Sequence, residues 1–194
     1  VRPQIEGFAA DGAGYGIANY TTLGLKVIDA KITKCRHAYT GRNTVDVYLN
    51  RGIYSDVIDD HWADRFTAEN VKVSSPAGTA AFQFAGNDVT LKDCSVSGFS
   101  RSFFAIRIDT PNLGGDVKIT NPVFESLSTD DIYFFSFTTP NGSQTLPTFT
   151  NTPKLPDLLF IENITINSKA STIFLFYQGT TNKPISNYKN IILS

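Results

Sequence analysis

Methionine is absent from the sequence, tryptophan occurs once, and histidine and cysteine occur twice each. With Val1 in place of an initiator residue, the chain reads as a processed or truncated piece of something longer. Two cysteines as far apart as Cys35 and Cys94 make neither a disulfide framework nor a zinc set, and they read as small buried hydrophobes. Charge of one sign is also missing: 17 basic residues stand against 18 acidic ones, for a formal net charge of −1. No strong field therefore argues for nucleic acid. No stretch is apolar enough to span a membrane as a helix, and nothing resembles a signal peptide. The expectation is no nucleic-acid partner and no membrane insertion. Apolar residues at helical spacing are lacking as well, which excludes helical repeats.

What is present is alternation. The 194 residues hold 15 Phe and 8 Tyr, and short runs such as Val45-Asp46-Val47-Tyr48-Leu49, Ala81-Phe82-Gln83-Phe84 and Phe104-Ala105-Ile106-Arg107-Ile108 alternate apolar with polar or small residues. These runs return every 20 to 23 residues or so, a period that signals a solenoid when its units are strands. Leucine-rich repeats share the period but need a recurring Leu and Asn frame, which is absent. The remaining reading is an all-β, right-handed parallel β-helix in which like residues stack from coil to coil. Alternation places Val45, Val47 and Leu49 inside with Asp46 outside. It places Phe82, Phe84, Phe104 and Ile106 inside, with Gln83, Ala105, Arg107 and Asp109 outside. Residues 1–137 read as coils, 138–156 as an inserted loop rich in Thr, Pro, Asn and Gly, and 157–194 as the last coils.

Both histidines and the tryptophan fall in one stretch, Cys35 to Phe66. It also carries Arg36, Arg42, Arg51 and Arg65 and the carboxylates Asp46, Asp56, Asp59, Asp60 and Asp64. Groups able to move protons near neutral pH are thus concentrated in one place. Polar turns between strands collect the same residue types, so a purely structural cluster is the competing reading. Stacking by the period would set Tyr39 beside Trp62 and Arg42 beside Arg65. One outer face would then hold His37, Tyr39, Arg42, Asp60, Trp62, Arg65, Gln83, Arg107 and Asp109. Such a face suits a long polar polymer, since rings stack on sugars and guanidinium forks hold carboxylates or hydroxyls.

Two mechanisms fit this face. In β-elimination a cation neutralises a uronate carboxylate, a base removes the adjacent proton and a Tyr or His protonates the leaving oxygen; His37, Tyr39 and Arg42 could form that set. In hydrolysis two carboxylates flank the bond; Asp59 or Asp60 with Asp46, Asp64 or Asp109 could form that pair. Neither route needs a cofactor. His61 with Asp59 and Asp60 lacks the spacing of a zinc set, so no metal is expected.

The run Cys35-Arg36-His37-Ala38-Tyr39-Thr40-Gly41, followed by Asp60-His61-Trp62, resembles the β-helix of bacteriophage tailspike depolymerases. Within that group it is most similar to capsule-degrading lyases of the heparosan-lyase type, over roughly Gly14 to Ile108. The resemblance implies a pectate-lyase-like coil, a homotrimer on the virion tail, and cleavage of a bacterial surface polysaccharide, capsule or O-antigen. It implies catalytic roles for His37, Tyr39, Arg42 and His61, beside which Asp60 and Arg65 are further catalytic candidates. Arg36, Asp46, Asp59, Trp62, Gln83, Arg107 and Asp109 are the expected substrate contacts.

Overall fold

The computed structural model describes residues 2–75, 80–106, 113–136, 156–177 and 191–194. These residues contain strands and no helix. In chain order the first ten strands are β1 (Gln4–Glu6), β2 (Ala9–Asp11), β3 (Tyr15–Tyr20), β4 (Lys26–Ile28), β5 (Lys31–Thr33), β6 (His37–Asn50), β7 (Ile53–Ser55), β8 (Val57–Glu69), β9 (Lys72–Ser75) and β10 (Ala80–Lys92). They are followed by β11 (Ser95–Gly98), β12 (Ser102–Ile106), β13 (Leu113–Thr120), β14 (Val123–Ser126), β15 (Ile132–Ser136), β16 (Leu158–Glu162), β17 (Thr165–Ser168), β18 (Ile173–Tyr177) and β19 (Ile191–Leu193).

Every pairing between these strands is parallel, within one sheet of twelve strands and one of seven. Parallel neighbours need a long return path, and here one coil of the chain supplies it each time, so the architecture is compatible with a parallel β-solenoid. The smaller sheet runs β17-β14-β11-β9-β7-β5-β2. The larger sheet has two runs, joined because β6, β8 and β10 each continue round a corner. The first half of β6 pairs with β3 and its second half with β4. In the same way β10 pairs with β12 before its bend and with β13 after it.

The core is made of ladders. One runs Val27, Leu49, Ala68, Leu91, Ile119 and Ile161, each in register with the next. A second, in the smaller sheet, runs Ile32, Tyr54, Val73, Val96 and Phe124. A third runs Ile17, Tyr39, Ile58, Phe82, Phe104 and Phe135. All of these side chains are buried. The phenylalanines stack as well: the Phe104 and Phe135 rings lie 4.8 Å apart, and those of Phe103 and Phe134 lie 4.9 Å apart.

The corner between the two sheets is the same in every coil. Gly7, Asp29, Arg51, Asn70, Asp93, Asn121 and Asn163 all have positive φ there. Each gives its backbone N–H to a carbonyl of the following coil, from Gly7 to Ile28 through Asn163 to Ser194. Small polar residues tolerate this left-handed conformation best after glycine, because their side chains bond locally.

Five placements expected from the alternation and the period need correction. Val45 is only half-buried, while Gln83 and Ala105 are buried instead of facing outward into solvent. Tyr39 does not stack on Trp62, and Arg42 does not stack on Arg65: Tyr39 aligns with Ile58 and Arg42 with His61. The offset between β6 and β8 is 19 residues (Thr40 to Asp59), shorter than the general period, with a register shift between His37 and Tyr39. Both cysteines are free and buried. Arg107, Asp109 and all but Pro156 of the expected insertion lie outside the described residues.

Candidate active site

Three successive coils build one cleft. In β3, β6 and β8, Tyr20, Arg42 and His61 form one row across the strands, with Thr40 and Asp59 in a second row beside it. Alternation along β8 turns Asp59 and His61 outward and Asp60 inward. The cleft has a volume of about 660 Å³ and is lined by Tyr15, Tyr20, Arg36, His37, Thr40, Gly41, Arg42, Asp59 and His61.

Asp59 is its pivot. The side chain is 1% exposed, yet each carboxylate oxygen faces a different imidazole. His37 Nδ1 lies 3.0 Å from Oδ1, and His61 Nε2 lies 3.2 Å from Oδ2. A carboxylate accepts only, so each ring nitrogen donates. This sets the tautomer of both rings and leaves Nε2 of His37 able to take a proton. The Tyr15 ring stacks on His37 at 5.4 Å and holds the imidazole from its other face. Arg36 and Arg42 are exposed at the cleft, and among the described residues neither is tied up in an ion pair.

Asp60 is a different kind of carboxylate. It is fully buried. Its Oδ2 accepts from the Tyr39 hydroxyl at 3.1 Å and from Thr44 Oγ1 at 2.8 Å, and Asn19 Nδ2 donates to the Tyr39 oxygen at 3.0 Å. Its Oδ1 has no hydrogen-bond partner among the described residues. Burial pushes the Asp60 carboxyl up to about 6, against the opposing pull of the Thr44 and Tyr39 hydrogen bonds. Burial, and next the Asp60 charge, raise the Tyr39 phenol well above its ordinary value. Gly41 is obligatory opposite this group, because a Cβ there would fall on the Asp60 carboxylate.

The other expected site residues scatter. Tyr39 and Asp60 belong to the core network rather than the cleft. Gln83 continues the Asp59 row on the next coil, 9% exposed, with Nε2 donating to Ala80 O at 3.4 Å. Trp62 is 43% exposed at a positive φ of 71°, outside the cleft lining. Arg65 Nε donates to Asp46 Oδ1 at 2.6 Å and Arg65 Nη1 to Asp64 Oδ2 at 3.0 Å, so Arg65 and Asp46 sit together round the bend in β6. Sequence reasoning missed Tyr15 and Tyr20, although they stand 22 positions before His37 and Arg42, their register partners. Among the described residues no group of three or more His, Cys, Asp or Glu side chains is placed to hold a metal ion.

The arrangement can neutralise an anion with its arginines and move a proton through a carboxylate-backed imidazole. Compared with protein-family models, with curated proteins and with solved structures, the chain matches none.

Proposed function

We propose that the cleft binds a uronate-bearing bacterial surface polysaccharide and cleaves it by β-elimination. In this reading the chain is part of a phage tailspike that coils right-handed, assembles as a homotrimer and acts from the virion tail. The observation that carries the chemical reading is the pairing of two guanidinium groups that make no ion pair among the described residues, Arg36 and Arg42, with His37, whose Nδ1 is held by the buried Asp59 carboxylate. The arginines bind the uronate carboxylate and stabilise the charge that spreads into it as the adjacent C–H bond breaks. His37 Nε2 takes that proton, with Asp59 supporting the resulting imidazolium. The electron pair left on carbon forms the new C=C bond as the glycosidic C–O bond breaks. Tyr20, in the same row as Arg42, is the donor available to protonate the departing oxygen. The handedness follows the general rule for parallel crossover connections; trimer, host polymer and virion location follow the sequence resemblance.

A glycosidase would need two carboxylates facing one bond. Asp59 faces two imidazoles and Asp60 points into the core, which favours elimination. The test is to screen acidic capsular polysaccharides for the ultraviolet absorbance of an unsaturated uronate. His37→Ala and Arg42→Ala are each expected to lower the rate on the order of a hundredfold or more, with the melting temperature unchanged. New reducing ends without that absorbance would make the enzyme a hydrolase. If no polymer is cut and both substitutions melt the protein, the cluster is structural and the coil is a shaft or adhesin.

A further inference from the structure

A second cleft, of about 570 Å³, lies past the bend in β6, on the face formed by β1, β4 and the second halves of β6 and β8. Gln4, Lys26, Tyr48 and Thr67 are in register across these four strands, so they form one outward row that follows the stacking direction. Along its edge sit Arg2, Asp46 and Arg65. The lining therefore has three cations and one carboxylate. Asp46 binds Arg65 closely and lies 3.8 Å from Arg2. Lys26 makes no ion pair among the described residues; its ammonium sits 5.7 Å from the centre of the Tyr48 ring. That ring is fixed from behind, its hydroxyl donating to Glu69 Oε2 at 2.7 Å. The aliphatic stem of the exposed Arg2 lies across Gly24, where a Cβ would meet it.

We propose that this cleft is a separate, non-catalytic binding site for an acidic sugar unit. The carboxylate lies between Lys26 and Arg2, and the sugar hydroxyls meet Gln4, Thr67 and the Arg65–Asp46 pair. A carboxylate gains most from a cation that has no other anion nearby, which singles out Lys26. The anchored Tyr48 ring lowers the ordering needed on binding. The row repeats at the strand spacing, about 4.8 Å, so it offers successive polar groups along a polymer laid parallel to the stack. This site requires no bond cleavage and stands apart from the reading of the His37 cleft.

The experiment uses the full chain carrying Arg36→Ala and Arg42→Ala, which strips the first cleft of its cations. Titration calorimetry with a galacturonate hexamer is expected to show residual binding that weakens as salt rises. Adding Lys26→Ala and Arg2→Ala is expected to weaken it at least tenfold without moving the melting temperature. Lys26→Gln, which keeps the stem, gives the same loss if the alanine chain proves unstable. The carboxyl-reduced hexamer is expected not to bind. Residual binding that survives the Lys26 and Arg2 changes overturns the proposal, as does equal binding of the neutral hexamer or no residual binding at all. None of these outcomes depends on whether the His37 cleft cuts a polymer.

Discussion

At the scale of the residue, Asp59 and Asp60 have opposite fates one bond apart. Asp59 is anchored by two imidazoles at the cleft; Asp60 is sealed among Tyr39, Thr44 and Gly41, with one oxygen unpartnered among the described residues. Burial raises the Asp60 carboxyl from its ordinary 3.8 to about 6, so between those values the folded chain binds more protons than the unfolded one. Stability from this group is therefore greatest below about pH 4, falls as pH rises towards 6, and stays lowered above it. A shift of about two units corresponds to roughly 3 kcal/mol. Asp60→Asn, neutral throughout, is expected to gain stability relative to the parent on that order between pH 4 and pH 7.5, as read by urea unfolding at both values. A parent-to-variant difference that does not change with pH would show that Asp60 does not titrate there. Residue type could not separate this carboxylate from its neighbour, nor Tyr39 from His37. Alternation along β8 separates the two carboxylates, and the register shift between His37 and Tyr39 separates the other two, since it exchanges inner and outer faces over a single residue.

At the scale of the element, the corner residues hold the coils at a fixed offset. Beyond their backbone bonds, three pairs link side chain to side chain: Arg51 Nε and Nη2 donate to the two Asp29 oxygens at 2.9 Å each, Asn121 Nδ2 donates to Asp93 Oδ1 at 2.7 Å, and Asn163 Nδ2 donates to Asn121 Oδ1 at 3.0 Å. Asn121 has a φ of 50°, where a β-branched side chain is strained. Asn121→Val is expected to destabilise the chain by about 1–2 kcal/mol from the backbone alone, and Asn121→Gly by less, as compared in thermal or urea unfolding. Equal losses would mean that the lost side-chain bonds, not the left-handed backbone, set the effect. The strands and their period were legible in the apolar alternation, and Val47, Val73, Phe84, Val96 and Ile106 are buried as that alternation requires. The corners were not. Arg51 and Trp62 hold positive φ with side chains that do not advertise it. Coil length also varies: β6 to β8 advances 19 residues, while β8 to β10 advances 24 (Asp59 to Gln83). An average period cannot say which side chains meet, which is why the stretch Cys35 to Phe66 reads as one region in the sequence while the set His37, Arg42, Asp59 and His61 that lines the cleft does not.

At the scale of the molecule, stability lies in neighbour-to-neighbour stacking. Phe104 sits mid-column, its ring 5.6 Å from Phe84 and 4.8 Å from Phe135. Phe104→Ala is expected to cost about 3–5 kcal/mol and, because each coil touches only the next, to loosen the coils around β12 first. Hydrogen exchange would show protection lost near β10 to β15 and retained in β4 to β8; uniform loss would mean the stack melts as one unit. The corner bonds that tie each coil to the next lie along the stack, and this gives the molecule a mechanical character. Pulled by its two ends, the chain loads these rungs one at a time, like a zipper opened from one edge, instead of shearing them together. A coil of about 22 residues at about 3.4 Å each releases roughly 7 nm of slack as it comes free. The force trace should then be a sawtooth of similar low steps, so that a structure stiff along its length yields gradually to tension between its ends.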